Sequence, residues 1–176
     1  MTEEPVFHET QRLSLCAVHA CNNLLQRRHF AQKHFDDMCL ELAPGEHIFN
    51  PHRSMLRLGN FDINVVMALL QKEAMEVTWH DKREELTVDV FREKEEKELV
   101  GILWNVPSES VWGRLWRSRH WIALRKYQGQ WMNLDSNLKE PTAIGSDDDC
   151  IHFLKSPSRV QETHVLFVHK SKREND

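Results

Sequence analysis

The sequence predicts an α+β domain in which helices pack on a mainly antiparallel sheet. Three observations point there. Apolar residues recur at helical spacing in the first part of the chain, β-prone runs take over from Met75, and the two patterns do not alternate in the strand–helix–strand order that a parallel sheet needs. No internal repeat, glycine-rich dinucleotide turn or phosphate-binding loop breaks this division.

The first helix is read over residues 14–28, where Ser14 can cap and Val18, Cys21, Leu24 and Leu25 repeat at three- and four-residue intervals to form a buried stripe. A second helix, around 35–42, stops before Pro44-Gly45. The polar stretch NPHRSMLRLGN reads as a loop ahead of a third helix over 62–74, which carries Ile63, Val66, Met67 and Leu70 on one side. Strands are expected at MEVTW, LVGILWNV, HWIALRKY, QWMNLD and THVLFVHK, with the charged stretch 83–98 ambiguous. A short helix over 147–154 follows from the acidic run DDDC, whose charge suits a helix N-terminus. One domain over 1–170 accounts for these elements, and 171–176 reads as a flexible tail.

Composition narrows the function. With 176 residues, 40% hydrophobic and 28% charged, the chain can bury a core as one domain. Its 23 basic and 27 acidic residues give a net charge of −4, so no overall positive field draws it to nucleic acid. No apolar run nears the roughly 18–20 residues of a membrane helix, and MTEEPVFHET has no signal-peptide core, so a cytoplasmic, also nuclear, monomer without membrane insertion is expected. Four cysteines at irregular separations, with no Cys-x-x-Cys, suit a reducing compartment and are each read singly.

The stretch RLSLCAVHACNNLL places Cys16 at the start of the first helix, where unpaired N–H groups and the helix dipole favour a thiolate. A nucleophilic thiolate needs an imidazole close by. The segment RHWIALRKYQGQWMNLDS reads as two strands around a turn at Gly129. If Lys126 to Gly129 form a four-residue loop, Arg125 pairs with Gln130 and His120 lies opposite Asp135, where a carboxylate can orient the ring and stabilise its cation. A one-residue slip would turn one partner to the other face. Gln11, five residues before Cys16, can offer its side-chain amide beside the Cys16 backbone N–H as an oxyanion hole for acyl transfer. Cysteine at a helix start with histidine and aspartate on later strands is the order of papain-like hydrolases.

Competing readings are weaker. Cys21 and Cys39 fall on apolar helix faces and read as core, and Cys150 as packing in the short helix. His19 reads as structural. Zinc on Cys16, His19, Cys21 and Cys39 would need three ligands at i, i+3 and i+5 on one helix, which do not share a face. Asn22 and Asn23 can bond to loop backbones. Most of the six tryptophans read as packing, with Trp121 also walling the cleft beside His120.

The motifs FHETQ, LCAVHACNNLLQ, NPHRSMLRLGN, RHW and NLDS resemble the Josephin domain, a papain-like family of deubiquitinating enzymes, from about Phe7 to Val168. NPHRS and NLDS resemble its small stand-alone members. The resemblance implies a ubiquitinyl hydrolase with Cys16 as nucleophile, His120 as general base and then acid, Asp135 as orienting residue and Gln11 as oxyanion donor, with no metal or organic cofactor. One member has Asn where this chain has Asp135. The resemblance also implies ubiquitin contacts at Ile63 and Asn64, and at His29 and Phe30 on another surface; Trp121 is grouped with these. A contact tryptophan of one relative aligns with Glu73. The rival expectations are a ubiquitin-binding module with latent activity and an acyltransferase that passes its thioester to an amine.

Overall fold

The computed structural model describes residues 5–11, 15–43, 61–91, 97–108, 118–156 and 163–171. Ser14, Pro44-Gly45, the loop at 50–60, Trp112, Trp116 and residues 172–176 lie outside them. Among the described residues are four α-helices, α1 (Cys16–Leu25), α2 (Gln32–Leu42), α3 (Ile63–Lys72) and α4 (Asp147–Leu154). Six strands are β1 (Met75–Trp79), β2 (Leu99–Pro107), β3 (Arg119–Tyr127), β4 (Gln130–Asn133), β5 (Thr142–Gly145) and β6 (His164–Lys170). They form one antiparallel sheet in the order β1-β6-β2-β3-β4-β5.

The sheet is the middle of three layers. Cys21 and Leu24 of α1, Phe35 of α2 and Val65 and Leu70 of α3 meet Leu103, Ala123 and Leu166 on one face. Trp104, Ile122, Leu124 and Phe167 meet Cys150, Ile151 and Leu154 of α4 on the other. Full burial of a Leu or Phe side chain contributes about 2 kcal/mol, so both faces hold the sheet in place. Burial pushes the Cys150 thiol up to about 12, helped by Asp147, and also raises Cys21, helped by Cys16. Both are buried thiols inside packed layers.

Three expectations are corrected. The first helix is shorter than 14–28 because Gln26 turns into the left-handed region at φ 56°, and Gln26 N–H and Arg27 N–H bond back to the carbonyls of Asn23 and Asn22. This Schellman closure satisfies the last carbonyls of α1. The third helix buries Val65 and Leu69 along with Val66 and Leu70, whereas Ile63 and Met67 are partly buried at its margin. Asp62 caps it by accepting from the N–H groups of Asn64 (2.8 Å) and Val65 (3.1 Å).

The hairpin between β3 and β4 is also tighter than a four-residue loop. Tyr127 pairs with Gln130 around Gln128-Gly129, whose φ values of 50° and 80° make the two-residue turn that matches strand twist. Arg125 therefore faces Met132, two residues from the expected register. A shift of two preserves the face on which each side chain stands. The short β5 was not expected, and within 83–98 the chain makes a 3-10 turn at Val88–Phe91.

Helix α1 is seated closely on the sheet. At Gly101, beside a bulge in β2, an added Cβ would lie 2.7 Å from Leu24 Cδ1 and 2.5 Å from the carbonyl oxygen of Leu124. Arg125 of β3 donates from Nη1 to the carbonyl of Leu24 at 2.5 Å. The nucleophile candidate at one end of α1 is thus carried by a helix fixed to the histidine-bearing strand.

Candidate active site

Helix α1 begins at Cys16, with Leu15 at the cap position and no side-chain cap. The Cys16 backbone N–H therefore belongs to the first turn, where amide groups have no helical acceptor. Its sulfur lies 4.0 Å from the carbonyl oxygen of Arg119, the residue before His120. Arg119 itself is held by Asn105 of β2, donating to the side-chain oxygen and, from Nη2 at 2.9 Å, to the backbone carbonyl.

His120 is buried and joins the other two groups. Its Nε2 lies 2.6 Å from Oδ1 of Asp135, and the Cys16 side chain neighbours its ring. Burial lowers the imidazole's proton affinity, but the hydrogen bond to Asp135, the interaction with the neighbouring Cys16 and the Asp135 charge outweigh it and raise His120 to about 9. The imidazole is accordingly a cation at neutral pH, facing the sulfur on one side and a carboxylate on the other.

Asp135 sits in a braced turn. Its backbone N–H donates to Asn133 Oδ1 (3.0 Å), its Oδ1 also accepts from the N–H of Asn137 (2.9 Å), and its carbonyl accepts from Leu138 N–H (2.9 Å) and meets His8 Nε2 at 3.0 Å. The side-chain amide of Asn137 lies 3.1 Å from His120 Nε2.

Gln11 meets the next residue of that turn. Its backbone N–H donates to the Ser136 carbonyl at 2.6 Å, and its side-chain Oε1 accepts from Ser136 Oγ at 3.3 Å. Among the described residues its Nε2 makes no hydrogen bond.

The segment leading to Gln11 is strapped to α1. Gln26 exchanges two hydrogen bonds with the backbone of Phe7, and Asn23 exchanges two with the backbone of Glu9 while also donating to the Leu134 carbonyl. The buried Glu9 carboxylate receives Asn22 Nδ2 (3.0 Å), His19 Nδ1 (2.8 Å) and Arg28 Nε (2.8 Å). Burial opposes its charge, yet these donors hold the carboxyl below its usual range. His19 thus binds Glu9, and Asn22 and Asn23 bond to loop backbone, Asn22 accepting from His29 and Phe30 N–H. Sequence alone does not single out His8, Glu9, Ser136 or Asn137; the first three fall within FHETQ and NLDS beside Gln11 and Asp135, and Asn137 directly follows NLDS.

The residues grouped as ubiquitin contacts differ in exposure. Asn64 is exposed and Ile63 half-buried at the start of α3. Phe30 is buried, and His29 pairs with Glu73 at 2.8 Å, with Arg27 3.8 Å from the same carboxylate. Trp121 is 2% exposed, packs in the helix-side core and donates to the Phe61 carbonyl, so it has no open surface of its own. No cluster of three or more metal-ligating side chains occurs among the described residues.

A family model described as Josephin matches residues 11–169. The chain belongs to the Josephin family. Josephin-2 of Homo sapiens is 44% identical over 166 residues, covering 93% of this chain and 85% of that protein. A Josephin-like protein of Drosophila melanogaster is 36% identical over 176 residues, covering 96% and 75%. Ataxin-3 of Homo sapiens is 28% identical over 185 residues, covering 95% of this chain but 46% of its own length. The three-layer arrangement described above is accordingly a Josephin fold, and the resemblance to stand-alone Josephins holds.

Proposed function

We propose that this Josephin chain is a deubiquitinating cysteine hydrolase that cleaves the acyl bond after the C-terminal glycine of ubiquitin. The observation that carries the reading is His120, held by Asp135 at 2.6 Å, on the strand whose Arg119 carbonyl lies 4.0 Å from the Cys16 sulfur. In this reading the Cys16 thiolate attacks the acyl carbon and the oxyanion is received by Gln11 Nε2 and the Cys16 N–H. His120 then gives its proton to the departing amine, leaving a thioester.

Hydrolysis of that thioester needs the same imidazole as a base. Part of what raises His120 comes from the neighbouring Cys16, and that influence is lost once the sulfur is acylated. Burial, which lowers the imidazole, then counts for more. His120 becomes better matched to taking a proton from water at neutral pH. The chemistry draws on side chains and backbone only.

The test is reaction with ubiquitin carrying a C-terminal electrophile, beside cleavage of a ubiquitin conjugate. A covalent adduct lost in Cys16→Ala and suppressed in His120→Ala, with released free ubiquitin, supports the hydrolase. Noncovalent binding without adduct or cleavage overturns it in favour of a binding module, and products joined to an added amine in place of free ubiquitin overturn it in favour of an acyltransferase.

A further inference from the structure

We propose that Ser136 is a positioning residue for the oxyanion hole, acting through Gln11; this rests on the hydrolase reading. A glutamine amide on a surface segment has several rotatable bonds, and an oxyanion donor contributes in full only when it is already in place as charge develops. Ser136 is 3% exposed and holds Gln11 at two points, the backbone N–H on its carbonyl at 2.6 Å and Oε1 on its hydroxyl at 3.3 Å. With Oε1 engaged, Nε2 is the end of the amide left unpaired among the described residues. A hydroxyl donating to Oε1 also polarises the amide, so its N–H becomes a stronger donor in the same chain of hydrogen bonds.

The location gives the contact a second consequence. Ser136 follows Asp135 directly, so the turn that presents the carboxylate to His120 also presents the hydroxyl to Gln11. The orienting acid and the oxyanion donor are therefore set by one short piece of backbone. Cys16 arrives from α1, which the Glu9 and Asn23 contacts tie to the same turn.

Ser136→Ala keeps the backbone contact and removes the hydroxyl. Gln11→Ala is expected to lower kcat on a ubiquitin conjugate roughly hundredfold, and Ser136→Ala about tenfold, with KM unchanged in both. Ser136→Ala added to Gln11→Ala should cause no further loss, and alkylation of Cys16 by iodoacetamide, which develops no oxyanion, should keep its wild-type rate. A wild-type kcat in Ser136→Ala, an equal loss in the Gln11→Ala background, or slowed alkylation overturns the inference. If the alanine variant does not fold, Ser136→Cys, of similar volume but a weaker donor, carries the kinetic comparison. Failure of the wild-type chain to form adduct or cleave conjugate overturns the hydrolase reading instead.

Discussion

Glu9 and His19 stand 2.8 Å apart, carboxylate to imidazole, and join the segment that carries Gln11 to the helix that starts at Cys16. The carboxylate is buried and takes two further donors, from Asn22 and Arg28. The contact therefore sets the spacing between two parts of the candidate site without touching a substrate.

Removing that carboxylate should destabilise the fold. Glu9→Gln loses the charge for which His19 and the exposed Arg28 are arranged, and disturbing a buried, hydrogen-bonded carboxylate costs about 1–3 kcal/mol. Because the folded-state carboxyl is held below its usual range, the stability it contributes is present above the unfolded value near 4 and is lost as pH falls through the folded value. Urea unfolding of both proteins should show a large gap at pH 7 that narrows on the acid side of pH 4. A gap independent of pH would refute this account.

His120 makes the opposite prediction on the alkaline side. Its value is raised to about 9, so its contribution to stability is complete below the unfolded value near 6.5 and is lost as pH rises through about 9. The imidazolium that faces Cys16 is lost over the same window, so kcat/KM on a ubiquitin conjugate should fall above about pH 9. Asp135→Asn removes the carboxylate charge and should move that limb to lower pH. An unmoved limb would assign the titration to another group.

The reach of sequence reasoning differs across these parts. The stripe Val18, Cys21, Leu24 located α1, because burial of one helix face imposes a period that survives in the residue order, and the β-prone runs located five of the six strands, because a sheet covered on both faces is built from near-continuous apolar residues. Strand β5 escaped notice since Thr142–Gly145 is four residues long and pairs only with β4. The hairpin length was misread because Gln128, a residue with little turn signal, takes the left-handed position before Gly129. His120 and Asp135 still meet, because the error was two residues and the side-chain period of a strand is also two. Contacts such as Glu9 with His19, or Ser136 with Gln11, depend on tertiary approach and leave no period to read.

Asn137 should soften the loss of Asp135. Its side-chain amide lies 3.1 Å from the same ring nitrogen and can turn its oxygen to that N–H once the carboxylate is gone. Asp135→Ala is expected to keep more activity than His120→Ala, and Asp135→Ala with Asn137→Ala to fall roughly another tenfold, about one hydrogen bond's worth. Single-turnover cleavage of a ubiquitin conjugate measures this. Equal rates for the single and double variants would show that Asn137 holds only the turn.

Gly101 sets how closely the C-terminal end of α1 lies on the sheet. A methyl group there would come within 2.5 Å of the Leu124 carbonyl, which is backbone and sits inside the β2–β3 ladder, and within 2.7 Å of Leu24 Cδ1. Leu24 is fully buried, so it has little room to yield. Gly101→Ala should therefore cost about 1–3 kcal/mol, the range of an overpacked core. Lifting the C-terminal end of α1 also tilts the helix, so the ubiquitin electrophile should label Cys16 more slowly in this variant while Gly129→Asn, which puts a residue tolerant of the left-handed φ of 80° where an added Cβ meets nothing within 4 Å, leaves the labelling rate unchanged. Thermal unfolding and labelling rates of the two variants check both halves, and a Gly101→Ala protein as stable as wild type would mean that the helix and sheet can separate without loss.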